Sequence, residues 1–199
     1  MTYKIGYLVG SLAKGSINRT LSQALITLAP DDLEFTEISI GGLPLYSWDY
    51  DADFPAEGRA FKQAVEASDG LLFVSPEYNR SIPGALKNAI DWGSRPWGQN
   101  SFARKPSGII GASPGGIGTA VMQASMRSVL SFLDAPQLNT PEAYVTFDAD
   151  DFAPDGTVVN ETTAQFLRHY MGEYCGFVQR VLAANAPGHI GDPDPASAK

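Results

Sequence analysis

Residues 4–18 read KIGYLVGSLAKGSIN. The first six, KIGYLV, form an apolar run rich in β-formers that halts at Gly10, which predicts a strand. From Asn18 the period changes. Leu21, Ala24, Leu25, Leu28 and Ala29 recur at helical spacing, and Pro30 ends the run. A strand that feeds a glycine-rich turn and then a helix is the opening unit of an alternating α/β chain. The turn sits at a helix N-terminus, where amides and the helix dipole suit an anion. Ser11, Ser16 and Asn18 add neutral donors. Ser16 and Asn18 suit plain helix capping equally well, and the loop alone does not separate the two roles. G-x-x-x-x-G spans 10–15, but Ser16 follows where a Walker loop carries Lys, and Lys14 lies before the second glycine. A monophosphate held without metal therefore fits better than a nucleoside triphosphate.

Outward from this unit the alternation continues. LEFTEI at 33–38 and GLLFVS at 70–75 predict strands, with a helix near 57–68 between them. A helix near 82–93 follows, with Ser81 as its expected N-cap and Pro83 near its first turn. PSGIIGA at 106–112 predicts a fourth strand. SPGGIG at 113–118 then opens a helix to about residue 133, whose expected apolar set is Val121, Ala124, Val129, Leu130 and Leu133. A weaker strand at 137–145, a turn-rich acidic stretch at 148–155 and a helix at 161–184 complete the pattern. Five strands alternating with five helices predict a doubly wound α/β fold, a five-stranded parallel sheet with helices on both faces. The order 2-1-3-4-5 would bring the loops after strands 1, 3 and 4 together at the switch point, where ligands bind.

Composition bounds the function. The chain has 199 residues, the size of one domain, assigned here to 1–186; the Gly/Pro/Ala/Ser-rich stretch 187–199 is expected to be disordered. A net charge of −8 argues against nucleic-acid and anionic-membrane partners, so a bound phosphate must be held locally. Cys175 is the single cysteine, which excludes an intrachain disulfide and suits helix packing. With only His169 and His189 beside it, no metal site is expected. The start, MTYKIGYLVGS, lacks a signal-peptide pattern, and no apolar run is long enough to span a bilayer, which predicts a cytoplasmic protein.

Two further loops carry unusual chemistry. Pro76-Glu77-Tyr78-Asn79, followed by Arg80-Ser81-Ile82-Pro83-Gly84, could wall a planar ring or be a turn whose tyrosine packs on the sheet edge. Ser113-Pro114-Gly115-Gly116-Ile117-Gly118 allows close backbone approach, or merely turns a strand into a helix. No G-x-G-x-x-G occurs there. Tyr46, Trp48 and Tyr50 suit either a cover over the site or local packing. Arg80 and Arg127 suit either interface pairing or a solvated surface. Taken together, the three loops describe a slot for a planar ring carrying a phosphate.

GSLAKGSIN at 10–18, PEYN at 76–79 with SIPGALKNAIDW at 81–92, and SPGGIG at 113–118 resemble the NADPH-dependent FMN reductase family, which includes quinone, chromate and azo-dye reductases. The resemblance runs from residue 1 to about 184. It implies a flavodoxin-like fold, bound FMN, NADPH or NADH as co-substrate, a small-molecule electron acceptor, and a homodimer or homotetramer. It implies that Ser11, Ser16 and Asn18 hold the FMN phosphate, with the backbone of Leu12, Lys14 and Ile17. Pro76, Glu77, Tyr78 and Asn79 would line the ribityl chain and ring, and Ser113, Pro114, Gly115 and Gly116 would meet the ring's polar edge. The flavin carries the chemistry, so no side chain is nominated as catalytic. A non-enzymatic flavodoxin-type carrier or flavin-binding module is the alternative; PEYN and the lack of a Thr-rich phosphate loop favour the enzyme. An FMN-free scaffold is a third reading. Family members often carry Arg where this chain has Ala13. Lys14 is the nearby cation, and an ammonium is a poorer phosphate partner than a guanidinium. Ala13→Arg is therefore expected to tighten FMN binding in equilibrium dialysis, and an unchanged Kd would refute the substitution argument.

Overall fold

The computed structural model describes residues 1–153 and 155–186; the predicted tail 187–199, with His189, lies outside them. Five parallel strands, β1 (Tyr3–Val9), β2 (Leu33–Glu37), β3 (Gly70–Val74), β4 (Ser107–Ser113) and β5 (Tyr144–Thr146), stand in the order β2-β1-β3-β4-β5. The helices are α1 (Ile17–Thr27), α2 (Ala56–Glu66), α3 (Gly84–Gly93), α4 (Ala120–Phe132) and α5 (Glu161–Ala184). This is the flavodoxin-like arrangement that the alternation predicts.

Two apolar layers flank the sheet. On one face Leu21, Ala24 and Leu25 of α1 and Leu167, Tyr170, Met171, Tyr174 and Val178 of α5 pack on Ile5, Leu72 and Ile110. On the other, Phe61, Leu86, Ile90, Met122, Met126 and Leu130 pack on Leu8, Leu71, Phe73 and Ile109. β3 is buried along its whole length, as a central parallel strand must be. Two phenols cross the first layer to the sheet: the Tyr170 hydroxyl donates to the Ile109 carbonyl at 2.9 Å and that of Tyr174 to Leu71 at 2.8 Å. Burial pushes both phenols upward, so they remain protonated donors. Cys175 is buried in the same layer, and burial raises its thiol, which keeps it unreactive.

Three details differ from the sequence reading, and a fourth concerns an alternative that it left open. First, α3 begins at Gly84 rather than near 82, with Pro83 in the cap position in extended backbone (φ −54°, ψ 138°). Ser81 is not the cap: its backbone exchanges two hydrogen bonds with Tyr78 across a tight turn. Second, the buried stripe of α4 is Met122, Gln123, Met126 and Leu130, whereas Val121 is exposed. Leu130 and Leu133 are buried as expected, Val129 is partly buried and Ala124 is exposed; the first turns were misplaced because Met reads weakly as a core signal. Third, β5 is three residues long. Its expected first half touches the sheet only where Gln137 bridges Ser107, because Pro136 and Pro141 remove ladder donors. Fourth, the loop 41–55 packs locally. Pro44's carbonyl accepts from Trp92 Nε1 (2.7 Å) and Asn88 Nδ2 (2.9 Å), and Asn88 Oδ1 accepts from the Tyr46 amide. Tyr46, Tyr50 and Phe54 surround the Trp92 ring, while Trp48 stays exposed.

At the carboxyl ends of β1, β3 and β4 the backbone converges. The Gly10 amide donates to the Val74 carbonyl, and the Ser75 amide to that of Ile110. A Cβ on Gly10 would lie 2.2 Å from Ser75 Oγ, and one on Gly111 only 2.0 Å from the Ser75 carbonyl oxygen. The second contact is with backbone and cannot be relieved by a rotamer change. Gly111→Ala is expected to destabilise the protein by at least about 2 kcal/mol in urea unfolding. Gly84→Ala, whose Cβ meets open space in the first turn of α3, should be neutral or stabilising by up to about 1 kcal/mol.

Candidate functional site

The topology delivers the three unusual loops to one edge. The first follows β1. Ser11 is buried and its hydroxyl accepts from the Ala13 amide, tightening the turn. Ser16 stands at the α1 N-cap with extended backbone, but its hydroxyl makes no capping bond. Among the described residues, no protein acceptor meets the amides of Gly15, Ile17 or Asn18. Leu12 and Lys14 are exposed on the same loop. Unpaired amides at the N-terminus of a helix are groups that can receive an anion. Asn18 behaves differently. Its side chain is fully buried, Nδ2 donating to the Ala112 carbonyl (2.9 Å) and Oδ1 accepting from the Ala112 amide (2.8 Å). It fastens α1 to β4, and only its backbone amide faces the loop. Neither residue caps α1 through its side chain.

The second loop, 76–81, is a two-residue turn. Asn79 (φ 51°) and Arg80 (φ 61°) occupy left-handed backbone between the paired Tyr78 and Ser81. Tyr78 is half exposed beside it. Glu77 points away from solvent, its side chain only 7% exposed. One carboxylate oxygen accepts from the amides of Val121 (3.0 Å) and Met122 (2.9 Å), and the other meets Arg80 at 3.2 Å. Thr119, the residue at the α4 N-cap, supplies no side-chain bond. Glu77 therefore caps α4 from a different loop and ties the second loop to the third. Sequence spacing does not reveal this, because the cap lies more than forty residues from its helix.

The third loop follows β4. Ser113 Oγ accepts from the Gly115 amide, and Gly118 (φ 56°) closes the turn by donating to the Gly115 carbonyl. Pro114, Gly115, Gly116 and Ile117 are exposed. A cavity of about 420 Å³ lies between the second and third loops, lined by Glu77, Asn79, Arg80, Ser113 and Gly115–Gly118. It gathers five of the expected site residues. Ser11, Leu12, Lys14, Ser16, Ile17 and Asn18 lie on the neighbouring loop, across Ser75, and do not line it. Arg80, Ile117 and Gly118 are additions to the expected set. The Asn-Arg pair between Tyr78 and Ser81 was the available turn signal for Arg80. Arg127, by contrast, serves structure: it donates to the Leu138 carbonyl and to Asn139.

The three loops thus bring unpaired amides at a helix N-terminus beside a glycine-walled cavity at the switch point. Removing the cap should loosen this edge. Glu77→Ala is expected to cost about 1–2 kcal/mol in urea unfolding, and Glu77→Gln, which keeps a carbonyl acceptor, less than about 1 kcal/mol. Equal losses would show that the charge rather than the hydrogen bonds fixes α4.

Comparisons with known proteins agree with this geometry. The sequence model of the NADPH-dependent FMN reductase family matches residues 3–150. A 2-hydroxy-1,4-benzoquinone reductase from Burkholderia sp is 50% identical over 179 residues, covering 90% of this chain and 98% of the relative. A quinone reductase from Pseudomonas putida is 42% identical over 178 residues, covering 89% and 95%. Among solved structures, the flavoenzyme NAD(P)H:(acceptor) oxidoreductase FerB from Paracoccus denitrificans superposes with a TM-score of 0.87 at 42% identity, covering 90% of this chain and 98% of FerB. In the described residues no helix is long and apolar enough to cross a membrane. The chain belongs to the NADPH-dependent FMN reductase family, as an enzyme that uses FMN and NAD(P)H and is akin to quinone reductases along most of its length.

Proposed function

We propose that the protein reduces quinones by a ping-pong route, with NAD(P)H and the acceptor taking turns on the open face of a flavin held between the second and third loops. The observation that carries this reading is the convergence of uncommitted amides and a 420 Å³ cavity on one sheet edge. Bound FMN supplies the relay of a hydride from nicotinamide to acceptor. The balance is NAD(P)H, a proton and a quinone giving NAD(P)⁺ and a hydroquinone.

The chain's own residues bind and orient. Ser11, the Ser16 hydroxyl and the backbone of Leu12, Lys14, Gly15, Ile17 and Asn18 would hold the phosphate. Pro76, Tyr78 and Asn79 would flank the ribityl chain and ring, with Glu77 holding that loop against α4. Ser113, Pro114, Gly115 and Gly116 would supply backbone contacts to the ring's polar edge, with the Gly116 amide as a donor that no protein group meets among the described residues. Residues 1–186 act as one domain. An open slot also suits free flavin, azo dyes and chromate as secondary acceptors. Exposed Trp97 and Phe132, 6.5 Å apart, supply an apolar surface for the expected homodimer or homotetramer.

Anaerobic spectra of the purified protein test this reading. Flavin bands that bleach with NADPH or NADH and recover with 2-hydroxy-1,4-benzoquinone are expected, with parallel lines in double-reciprocal plots. Bands that bleach only with dithionite would establish the carrier alternative. A protein that takes up no FMN would overturn the phosphate-loop assignment.

A further inference from the structure

Arg80 has no part in the scheme above, and its placement is unusual. A long side chain at φ 61° sits in backbone that Asn or Gly adopts more readily, yet the paired Tyr78 and Ser81 hold it there. The turn sets Arg80 on the wall of the 420 Å³ cavity. Among the described residues it is the one cationic side chain that lines it. One guanidinium nitrogen, Nη1, meets Glu77 at 3.2 Å, and the side chain is otherwise 66% exposed. Glu77 does not neutralise it in full, because its other oxygen answers the two amides that begin α4. The local balance is one guanidinium and the positive end of a helix against one carboxylate. That balance is positive on a chain whose net charge is −8. The Nη2 and Nε edge of the guanidinium has no protein partner among the described residues.

We propose that Arg80 selects acidic quinones: acceptors whose ring carries a hydroxyl conjugated to a carbonyl, and which are ionised at neutral pH. The proposal rests on the quinone-reductase reading and deepens it. Such a molecule is a vinylogous carboxylic acid, with its charged oxygen next to a ring carbonyl. Two adjacent, coplanar oxygens match the fork of a guanidinium, whereas a lysine offers only a point charge. Hydride transfer adds a second negative charge to the ring before protons arrive. A fixed cation at that edge therefore stabilises the developing charge as well as the substrate. The balance is a hydroxyquinone anion, NAD(P)H and two solvent protons giving a neutral benzenetriol and NAD(P)⁺. The product has lost the charge that Arg80 attracts, which favours its release. A second source of negative charge is the phosphate groups of NAD(P)H, and the experiment separates the two.

The test compares the FMN-loaded wild type with Arg80→Asn, which suits the left-handed turn, and Arg80→Lys, which keeps charge without the fork. The probes are 2-hydroxy-1,4-benzoquinone, neutral 1,4-benzoquinone, and NADPH varied at fixed acceptor. For Arg80→Asn, kcat/KM with the hydroxyquinone is expected to fall about 10- to 100-fold, the loss of one charged hydrogen-bonding partner. The neutral quinone should fall less than about 3-fold on the same reasoning, and NADPH likewise. Arg80→Lys should lie between wild type and Arg80→Asn. Added salt should weaken hydroxyquinone turnover in the wild type and much less in Arg80→Asn. Equal losses for both quinones, or a loss that falls on NADPH, would overturn the proposal. If the wild type reduces neither quinone with NAD(P)H, the functional reading itself fails, and that outcome is distinct. Flavin absorbance and thermal unfolding of each variant identify a failure to fold, in which case the Arg80→Lys data decide.

Discussion

The architecture depends on one steric constraint: three strand ends must meet at Ser75. Gly10 on one side and Gly111 on the other approach it so closely that neither position has room for a Cβ. The amides there remain in the sheet ladder, Gly10 to Val74 and Ser75 to Ile110, so the strands do not splay before their loops begin. Each loop then leaves from nearly the same level. A side chain at either glycine would force the first or third loop away from the second, and the slot would lose a wall. Glycine carries a conformational cost in a strand interior, and here close approach of backbone to backbone explains why it stands there.

Above that row, specific polar fasteners hold the loops without consuming the donors that face outward. Asn18 makes a two-way bond with Ala112, fixing α1 to β4. Glu77 caps α4 and pairs with Arg80. Asn88 and Trp92 hold the 41–55 loop through the Pro44 carbonyl and the Tyr46 amide. Several of the most recognisable residues in the sequence are therefore structural. The Asn and Trp of the segment 81–92 secure a loop that the sequence places far away, and the Glu of PEYN secures a helix. Buried polar groups of this kind are satisfied on nearly every side and define a single arrangement of the loops.

This division explains what could be read in advance. Strands β1, β3 and β4 are short apolar runs, β2 alternates polar with apolar residues, and α1 and α5 carry long apolar stripes, so their periods were legible. β5 was legible only as existing, since prolines interrupt its ladder. The first half of α4's inner face was not legible because two methionines and a buried glutamine stand there, while Leu130 at its far end was. The cap of α3 was missed because Ser81 is committed to the turn before Pro83. At the site, residue type marked the three loops that the topology gathers on one edge, but the burial of Asn18 and the aim of Glu77 are tertiary facts. Both depend on partners dozens of residues away, which local spacing cannot encode.

Charge placement follows from the same topology. In a parallel sheet every helix points its N-terminus toward the carboxyl edge and its C-terminus toward the opposite one. Anion-binding amides therefore collect at one edge and carbonyl-rich helix ends at the other. This chain supplies cations to that second edge. Lys62 reaches the Gly93 carbonyl at the end of α3, and Lys105 reaches Glu66 and Ser68 at the end of α2. Burial pulls both ammonium groups downward, and the Glu66 carboxylate, with Asp69 beside Lys105, opposes that shift. Elsewhere Arg19 engages Glu37 through two hydrogen bonds, and Lys87 engages Asp91. The first loop therefore offers partial charges rather than a basic patch, which is how an acidic protein would hold the proposed phosphate. An arginine on the cavity wall stands apart from this pattern. It pairs with Glu77 through Nη1 alone, so the loop's ion pair leaves the rest of the guanidinium available to a charge that enters the slot.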